Sequence, residues 1–383
     1  MKKYFCLPLL FALVSCTTDG DWSILLFGEG NDIPYSAIHL QKQDQIIVLG
    51  QKWTKTDSVE WGNALVKLDG KGNVLDQYFF GKESEEHRSI LLHEDRIFIA
   101  GYKNDHLNII EIDPDLKIVK DTSFTGYPTR ASHYPQVLSY KHNLVMVFNN
   151  PDQQPEILIM DTSFNVIHSF KIRNDFYDGF LSYQDAIITG NSKIVLTGTS
   201  VVQPADGRYN YDIFFAQVDM ESGVVDWIKS YGDNEGYFSS EALVEWKGKV
   251  YATGMGRNND GDTQDNFDVY LWRIAMDGKI ELAEKYSGPG TTEWGNDIKV
   301  AGNHLLVAGF SSSSNEQSSY LRLLIDEDGK LIEQKKSGSQ NVNALESIVK
   351  MDEDNFLLLG CSTEKWGPNS WVIMKMKGNT VMN

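Results

Sequence analysis

The sequence predicts an all-β fold, a seven-bladed β-propeller of four-stranded antiparallel blades arranged in a closed ring. First, an apolar strand that ends in glycine recurs roughly every 50 residues, the spacing of a blade repeat. Second, Val, Ile, Phe, Tyr and Trp dominate these segments without a helical period. Third, tight links rich in Asp, Gly and Asn alternate with long links. The repeated strands are Ile46–Gly50, Ile97–Gly101, Leu144–Phe148 (phenylalanine in place of glycine), Ile194–Gly198, Val250–Gly254, Leu305–Gly309 and Phe356–Gly360.

Each repeat divides into four strands, named a to d from the channel outwards. In the fourth repeat they are Asp185–Thr189, Ile194–Gly198, Asp212–Asp219 and Val225–Gly232. The a–b and c–d links are tight, whereas the b–c and d–a links are long. Because successive links alternate between the two ends of a blade, the long links share one face of the ring. We call it the loop-rich face and the opposite side the hairpin face. Loops often carry function, so the loop-rich face is the predicted working face.

The ring is predicted to close with a strand from the beginning of the chain. Strand d of most repeats ends in an aromatic or polar residue plus glycine, and Trp22–Gly28 has this ending before any first repeat. The last repeat stops soon after its strand c, Trp371–Met376. Trp22–Gly28 would therefore complete the seventh blade and remove an open sheet edge. The alternative is that Thr380–Asn383 forms this fourth strand. Residues 22–383 are expected to form a single propeller domain.

The first residues have the pattern of an export signal. A basic start, Lys2-Lys3, precedes Tyr4–Val14, an apolar stretch too short to span a bilayer. It ends in Leu13-Val14-Ser15-Cys16, which resembles the lipobox of bacterial lipoproteins. The resemblance implies a signal peptide over residues 1–15, an acylated Cys16 as lipid anchor, and a linker over residues 16–21. The alternative is an ordinary secretory signal cleaved nearby. We expect an exported protein anchored in the outer membrane, on its periplasmic or cell-surface side.

Net charge and cysteine content restrict the kinds of partner and cross-link that we expect. The formal net charge is −18, which argues against nucleic acid and against docking on anionic lipid head groups. Of the three cysteines, Cys6 lies in the signal and Cys16 would carry lipid. Cys361 remains as a buried thiol, so no intramolecular disulfide is expected in the mature chain. We expect a monomer that contacts the membrane through its N-terminal lipid.

The fourth repeat carries a resemblance to known proteins. Its motifs are Asp212-Ile213-Phe214-Phe215, Val218-Asp219, Gly223, Asp226-Trp227 and Ser230-Tyr231-Gly232. They resemble the repeat of secreted and lipid-anchored seven-bladed β-propellers of Gram-negative bacteria, which implies export and architecture but no single activity. Val218–Tyr231 also resembles a quinoprotein propeller repeat. Only this copy does so, and Ser222 replaces the usual threonine, so no quinone cofactor is expected.

Carboxylates are predicted to gather where the channel opens on the loop-rich face. Aligning the starts of the a strands places Asp185, Glu241, Asp297 and Glu346 on four consecutive blades, beside Ser36, Ser89 and Gln136 of the other three. Like charges this close repel, so the acids must be solvated, hydrogen-bonded, partly protonated or neutralised by a cation. One interpretation is a ligand or metal site. The other is that each acid caps a neighbouring loop.

Aromatic residues form the second group of predicted ligand-binding residues. Trp53, Trp61, Trp294 and Trp366 fall in loops of the loop-rich face, and Tyr134 lies nearby in the repeat frame. Aromatic rings beside acids and amides suit a sugar, whose apolar face stacks while its hydroxyls form hydrogen bonds. The same residues could anchor a protein partner or pack the loops against one another.

A calcium loop is a second possible metal site. Oxygen-bearing side chains surround a glycine between Asn258 and Asn266, with Asp260, Asp262 and Asp265 as its acids. The bidentate glutamate of a calcium loop is missing, so the alternative is a solvated acidic turn. No other cofactor is expected, and no catalytic residue is assigned because the sequence contains no nucleophile elbow, P-loop or zinc motif.

Three functions fit these features. The first is a non-catalytic envelope lipoprotein that binds a glycan or a protein partner on its loop-rich face. The second is a carbohydrate-active hydrolase or lyase that uses the carboxylates at the channel mouth. The third is an accessory subunit of an outer-membrane assembly.

Overall fold

A computed structural model describes residues 13–16, 21–30, 32–55, 59–82, 84–129, 134–173, 180–202, 210–232, 236–257, 266–286, 288, 290–313, 317–338, 342–363 and 369–377. Within these residues almost all regular structure is β-strand, with one short 3₁₀ turn at Gln41–Gln43. Two strands come first: β1 (Leu13–Cys16) and β2 (Trp22–Gly30). The all-β fold predicted from the sequence is confirmed.

The next strands form four four-stranded units, numbered blades I to IV. Blade I is β3 (Ile33–Leu40), β4 (Gln45–Lys55), β5 (Val59–Asp69) and β6 (Val74–Phe80); blade II is β7 (Glu85–His93), β8 (Arg96–Lys103), β9 (His106–Ile112) and β10 (Ile118–Pro128). Blade III is β11 (Gln136–Tyr140), β12 (Asn143–Asn149), β13 (Pro155–Asp161) and β14 (Val166–Lys171); blade IV is β15 (Phe180–Ile188), β16 (Lys193–Val202), β17 (Asn210–Asp219) and β18 (Val225–Tyr231).

The remaining strands form blades V to VII. Blade V is β19 (Tyr237–Trp246), β20 (Lys249–Arg257), β21 (Asp268–Ile274) and β22 (Ile280–Tyr286); blade VI is β23 (Thr291–Ala301), β24 (His304–Ser313), β25 (Ser318–Ile325) and β26 (Leu331–Ser337). Blade VII is β27 (Val342–Lys350), β28 (Asn355–Thr363) and β29 (Asn369–Lys377), with β2 as its fourth strand. Each blade is an antiparallel meander, and one parallel bridge, Tyr211 to Tyr237, joins blades IV and V.

The blades form a closed ring. The innermost strands contact one another in the order β3, β7, β11, β15, β19, β23 and β27, and β27 contacts β3 again. The described apolar core divides into seven clusters, each shared by two adjacent blades, the last by blades VII and I. Burial of apolar area between neighbouring blades therefore holds the ring together.

The N-terminal strand closes the ring, as predicted. β2 pairs with β29 in antiparallel register, with Ile24 opposite Ile373, and β1 pairs with the outer side of β2. The indole of Trp22 donates to the Gly70 carbonyl of blade I at 3.0 Å. A side chain at Gly72 would meet the same indole at 2.7 Å. The rival strand, Thr380–Asn383, lies outside the described residues.

The repeated glycine of the second strand has a steric cause. A Cβ atom there would lie between 1.7 and 2.4 Å from a backbone oxygen of the innermost strand in the same blade. In these six blades the innermost strand carries a β-bulge beside the glycine. In blade III the described pairing of β11 with β12 ends with Gln136 opposite Val147, one residue before Phe148, which stands in place of the glycine. The close approach of the bulged strand thus explains the glycine of the other six blades.

Candidate functional site

A cavity of about 610 Å³ opens where the innermost strands begin, on the loop-rich face. All seven residues aligned from the sequence contribute to its wall: Ser36, Ser89, Gln136, Asp185, Glu241, Asp297 and Glu346. We call this cavity the mouth. Its position follows from the fold, since every d–a link delivers an innermost strand to the channel at this end.

The bulges divide the wall into two rings of residues. The bulge ring contains the residue that each register shift leaves unpaired: Tyr35, Arg88, Gln184, Glu241, Asn296 and Glu346. The clamp ring contains the next residue of each blade and Gln136 of blade III: Ser36, Ser89, Gln136, Asp185, Ala242, Asp297 and Ser347. The predicted equivalence of Glu241 and Glu346 with Asp185 and Asp297 is therefore wrong by one position. An extra unpaired residue shifts the register, and the sequence does not mark it.

Clamp-ring side chains tie blades II, III, IV and VI each to the blade that follows. Asp185 Oδ2 accepts from the Leu243 N–H at 2.7 Å, and Asp297 Oδ2 accepts from the Ile348 N–H at 2.6 Å. In the same way, Ser89 Oγ accepts from the Val137 N–H at 3.1 Å, and Gln136 Oε1 accepts from the Ala186 N–H at 3.0 Å. Burial raises the pKa of Asp185 to about 6, against the opposing field of Lys299. These acids satisfy buried backbone donors between blades.

The two bulge-ring glutamates have few partners by comparison. The Ser239 hydroxyl donates to Glu241 Oε1 at 2.6 Å. The Cys361 thiol lies 4.0 Å from Glu346 Oε1. Burial raises the pKa of both carboxyls; Arg88 opposes the rise at Glu346, and Glu241 adds to it. Both acids thus hold a proton to higher pH than an exposed glutamate, which is the property of a general acid or a hydrogen-bond donor to a ligand.

Arg88 is held between two tyrosines on the other side of the mouth. Its guanidinium lies 4.1 Å from the ring centroid of Tyr35 and 3.2 Å from that of Tyr134. Its Nε donates to Glu86 Oε1 at 2.7 Å, and the Tyr102 hydroxyl donates to Glu86 Oε2 at 3.0 Å. Tyr102 also stacks on Tyr134, with centroids 5.9 Å apart. Burial raises the pKa of Tyr134 to about 12, so its hydroxyl stays protonated.

Sequence reasoning missed Arg88 and Glu86. Neither belongs to a motif, and Arg88 would have been found only by placing it at the position of Glu241, which requires the bulge. Tyr134 was predicted and does line the mouth.

The predicted tryptophans have different surroundings. Trp294 is half-buried between Phe267 and Phe310, with centroids 6.3 and 5.4 Å away, as the loop-packing interpretation expects. The backbones of Trp53 and Trp61 pair across β4 and β5, which extend through most of the loop predicted there. Their side chains, and all of Trp366, lie outside the described residues.

The predicted metal loop and the predicted lipid anchor are considered next. Asp260, Asp262 and Asp265 lie outside the described residues; within those residues, no group of three or more His, Cys, Asp or Glu is arranged to hold a metal ion. In the described part of the chain no helix has the length and apolarity needed to cross a bilayer. Cys16 ends β1, where its backbone pairs with Trp22.

Comparisons with known proteins define the class of fold. No protein-family model matches the chain, and no curated protein resembles it in sequence. Among solved structures, a PL25 ulvan lyase bound to -[GlcA(1-4)Rha3S]- superposes with a TM-score of 0.61 at 10% identity, covering 90% of this chain and 93% of the lyase.

Two further structures are similar. The polysaccharide lyase Uly1 gives a TM-score of 0.59 at 10% identity, over 91% of this chain and 90% of its own. A protein of unknown function from Dyadobacter fermentans DSM 18053 gives 0.50 at 10% identity, over 93% and 97%. At such low identity these likenesses show the fold alone. The chain is a β-propeller protein.

Proposed function

We propose that this protein is a cell-envelope lipoprotein that binds a glycan in its mouth. The bulge ring carries the proposal: six blades present tyrosine, arginine, glutamine, asparagine and two glutamates to one cavity. A sugar ring stacks on aromatic faces while its hydroxyls exchange hydrogen bonds with amides and carboxyls. The lyases of similar fold act on polysaccharides, which supports a carbohydrate ligand without naming it.

A glycan array tests the proposal. The full mature domain is compared with Tyr134→Ala and Glu241→Gln, which remove a stacking surface and a carboxylate from the mouth. We expect at least one glycan class to bind, and about tenfold weaker binding by each variant, the loss of one or two polar or stacking contacts. Lys42→Gln on the hairpin face is the matched control, since its ammonium makes an exposed ion pair with Asp95. A blank array, or equal binding by all four proteins, contradicts the proposal.

Glycan cleavage is the second candidate, favoured by the raised pKa of Glu241 and Glu346. In hydrolysis one carboxylic acid protonates the glycosidic oxygen as its bond to carbon breaks. The other carboxylate takes a proton from the water that adds to the sugar carbon. Release of reducing ends from an array-positive polysaccharide, abolished by Glu241→Gln or Glu346→Gln, would support this function. Binding without product leaves the protein a binder.

We infer the anchor from the lipobox. Cys16→Ser should block acylation and move the protein from the membrane fraction to the soluble fraction, with metabolic fatty-acid labelling as the readout. Trp22, whose backbone pairs with that of Cys16, contacts the turn at Gly70 on the hairpin face. We therefore propose that the hairpin face lies towards the membrane and the mouth faces away. Co-purification with a membrane barrel would instead favour an accessory subunit of an outer-membrane assembly.

A further inference from the structure

Three contacts hold Arg88 in place at the wall of the mouth. Its guanidinium lies against the rings of Tyr35 and Tyr134, and its Nε donates to Glu86. Such cation–π and hydrogen-bond contacts restrict the rotation of a side chain that would otherwise lose much entropy when it binds a ligand. The residue is thus pre-organised at the wall of the mouth.

Glu86 binds Arg88 through Nε and not through the two terminal amino groups of the guanidinium. Its side chain is 3% exposed. Oε1 lies 2.7 Å from Arg88 Nε and 3.2 Å from the Tyr35 hydroxyl, while Oε2 accepts from the Tyr102 hydroxyl. A carboxylate that paired with Arg88 through two parallel bonds would also engage Nη, as guanidinium–carboxylate pairs often do. Here Arg88 makes one contact through Nε, and the Tyr102 hydroxyl donates to the other carboxylate oxygen.

The two terminal amino groups of Arg88 are therefore left for the mouth. Among the described residues, the bond from Nε to Glu86 is the hydrogen bond that Arg88 makes. One-third of its side chain is exposed, and it lines the cavity. Two coplanar N–H donors on a fixed plane match the oxygens of a carboxylate or a sulfate, and lysine cannot reproduce this geometry.

The other charges of the mouth decide where an anion can lie. Lys299 is engaged by Asp297 at 2.5 Å, and Lys350, which also lines the cavity, lies at the far end of β27, towards the hairpin face. Glu241 and Glu346 come from blades V and VII and repel a second negative group, although burial favours their protonated forms. An anion is therefore favoured on the side of blades I to III, at the terminal amino groups of Arg88.

We propose that Arg88 is an anion-recognition residue and that the glycan bound in the mouth is acidic, carrying a carboxylate or a sulfate on a sugar ring. This inference rests on the proposed glycan binding and adds the chemical class of the ligand. The guanidinium binds the acidic group through its terminal amino groups, Glu86 acts as its positioning residue, and the sugar ring lies against Tyr134.

Paired probes test the inference. Binding of the mature domain is titrated with oligogalacturonate against its methyl ester, and with chondroitin 4-sulfate against unsulfated chondroitin. The first pair isolates the carboxylate and the second isolates the sulfate. The variants are Arg88→Gln, Arg88→Lys and Glu346→Gln, with Lys42→Gln as control. Circular dichroism and thermal unfolding establish that each variant is folded.

We expect at least one acidic probe to bind tenfold or more tighter than its partner, with Arg88→Gln erasing this preference, as the loss of a charge-assisted pair requires. Arg88→Lys should keep part of the preference, because it retains charge without the planar donors. Glu346→Gln should strengthen binding of the acidic probe by removing a like charge, an effect that a purely structural role of Arg88 would not produce.

Other outcomes overturn the inference. If esterified and acidic probes bind equally, or Arg88→Gln keeps the preference, the acidic class is wrong while glycan binding stands. If no probe of either pair binds but uncharged glycans on the array do, the acidic class is again wrong while glycan binding stands. A blank array removes the proposed function itself, so the two failures are distinguishable.

Discussion

Two pairs of acids in the mouth look alike in the sequence and differ in the structure. Asp185 and Asp297 belong to the clamp ring, where each accepts an N–H from the following blade. Glu241 and Glu346, one position earlier in their own blades, belong to the bulge ring and have few protein partners. One bulge residue thus separates a carboxylate that holds the ring from one that can meet a ligand. A repeat protein can vary its binding residues in one ring while keeping the contacts of the other.

The largest expected effect comes from breaking a clamp. Asp297→Ala leaves the buried Ile348 N–H without its acceptor and removes the carboxylate that pairs with Lys299. We expect a loss of about 3 kcal/mol in the free energy of unfolding. Chemical denaturation measures it, with Glu241→Gln as the bulge-ring counterpart, which should cost far less. Equal losses from the two substitutions would remove the distinction between the rings.

A second substitution tests whether close contact with the bulged strand is the reason for the glycine repeat. In Gly309→Ala the new Cβ would lie 1.7 Å from the Trp294 carbonyl oxygen, so backbone must move. We expect about 2 kcal/mol of destabilisation, typical of an overpacked core. Gly126→Ala is the control, because its Cβ meets nothing within 4 Å. If thermal unfolding shifts equally for both, the glycine repeat has another cause.

The smallest expected effect has the opposite sign. Burial raises the pKa of Glu346 in the folded state, so the folded protein binds more protons than the unfolded chain at pH values above the ordinary glutamate range. Ionisation then costs stability as pH rises through the raised pKa. Glu346→Gln removes that cost and should stabilise the protein by about 0.5–1 kcal/mol at pH 7, and by less at pH 4. Denaturation at both values checks it; a destabilised variant at pH 7 would show that the carboxylate has a structural partner.

The sequence was sufficient for the ring and insufficient for the mouth. The glycine repeat and the Trp22–Gly28 segment predicted the blades and the closing strand because both follow patterns that recur in most copies of the repeat. The bulge inserts an unpaired residue without a residue type of its own: Tyr35, Arg88, Gln184, Glu241, Asn296 and Glu346 share no chemistry. Alignment by residue type therefore grouped the four acids together. The Arg88 cluster was missed for the same reason: Arg88 is itself the bulge residue of its blade, and Tyr35, which contacts its guanidinium, comes from the neighbouring blade.

Hydrogen-exchange mass spectrometry, with and without the strongest glycan from the array, tests the binding site most directly. Ligand in the mouth predicts slower exchange at the starts of the innermost strands, in peptides that cover residues 34–37, 86–89, 239–243 and 344–348. The hairpin-face turns should be unchanged. Protection confined to those turns or to the outer strands, with the strand starts unaltered, would contradict glycan binding by the bulge ring.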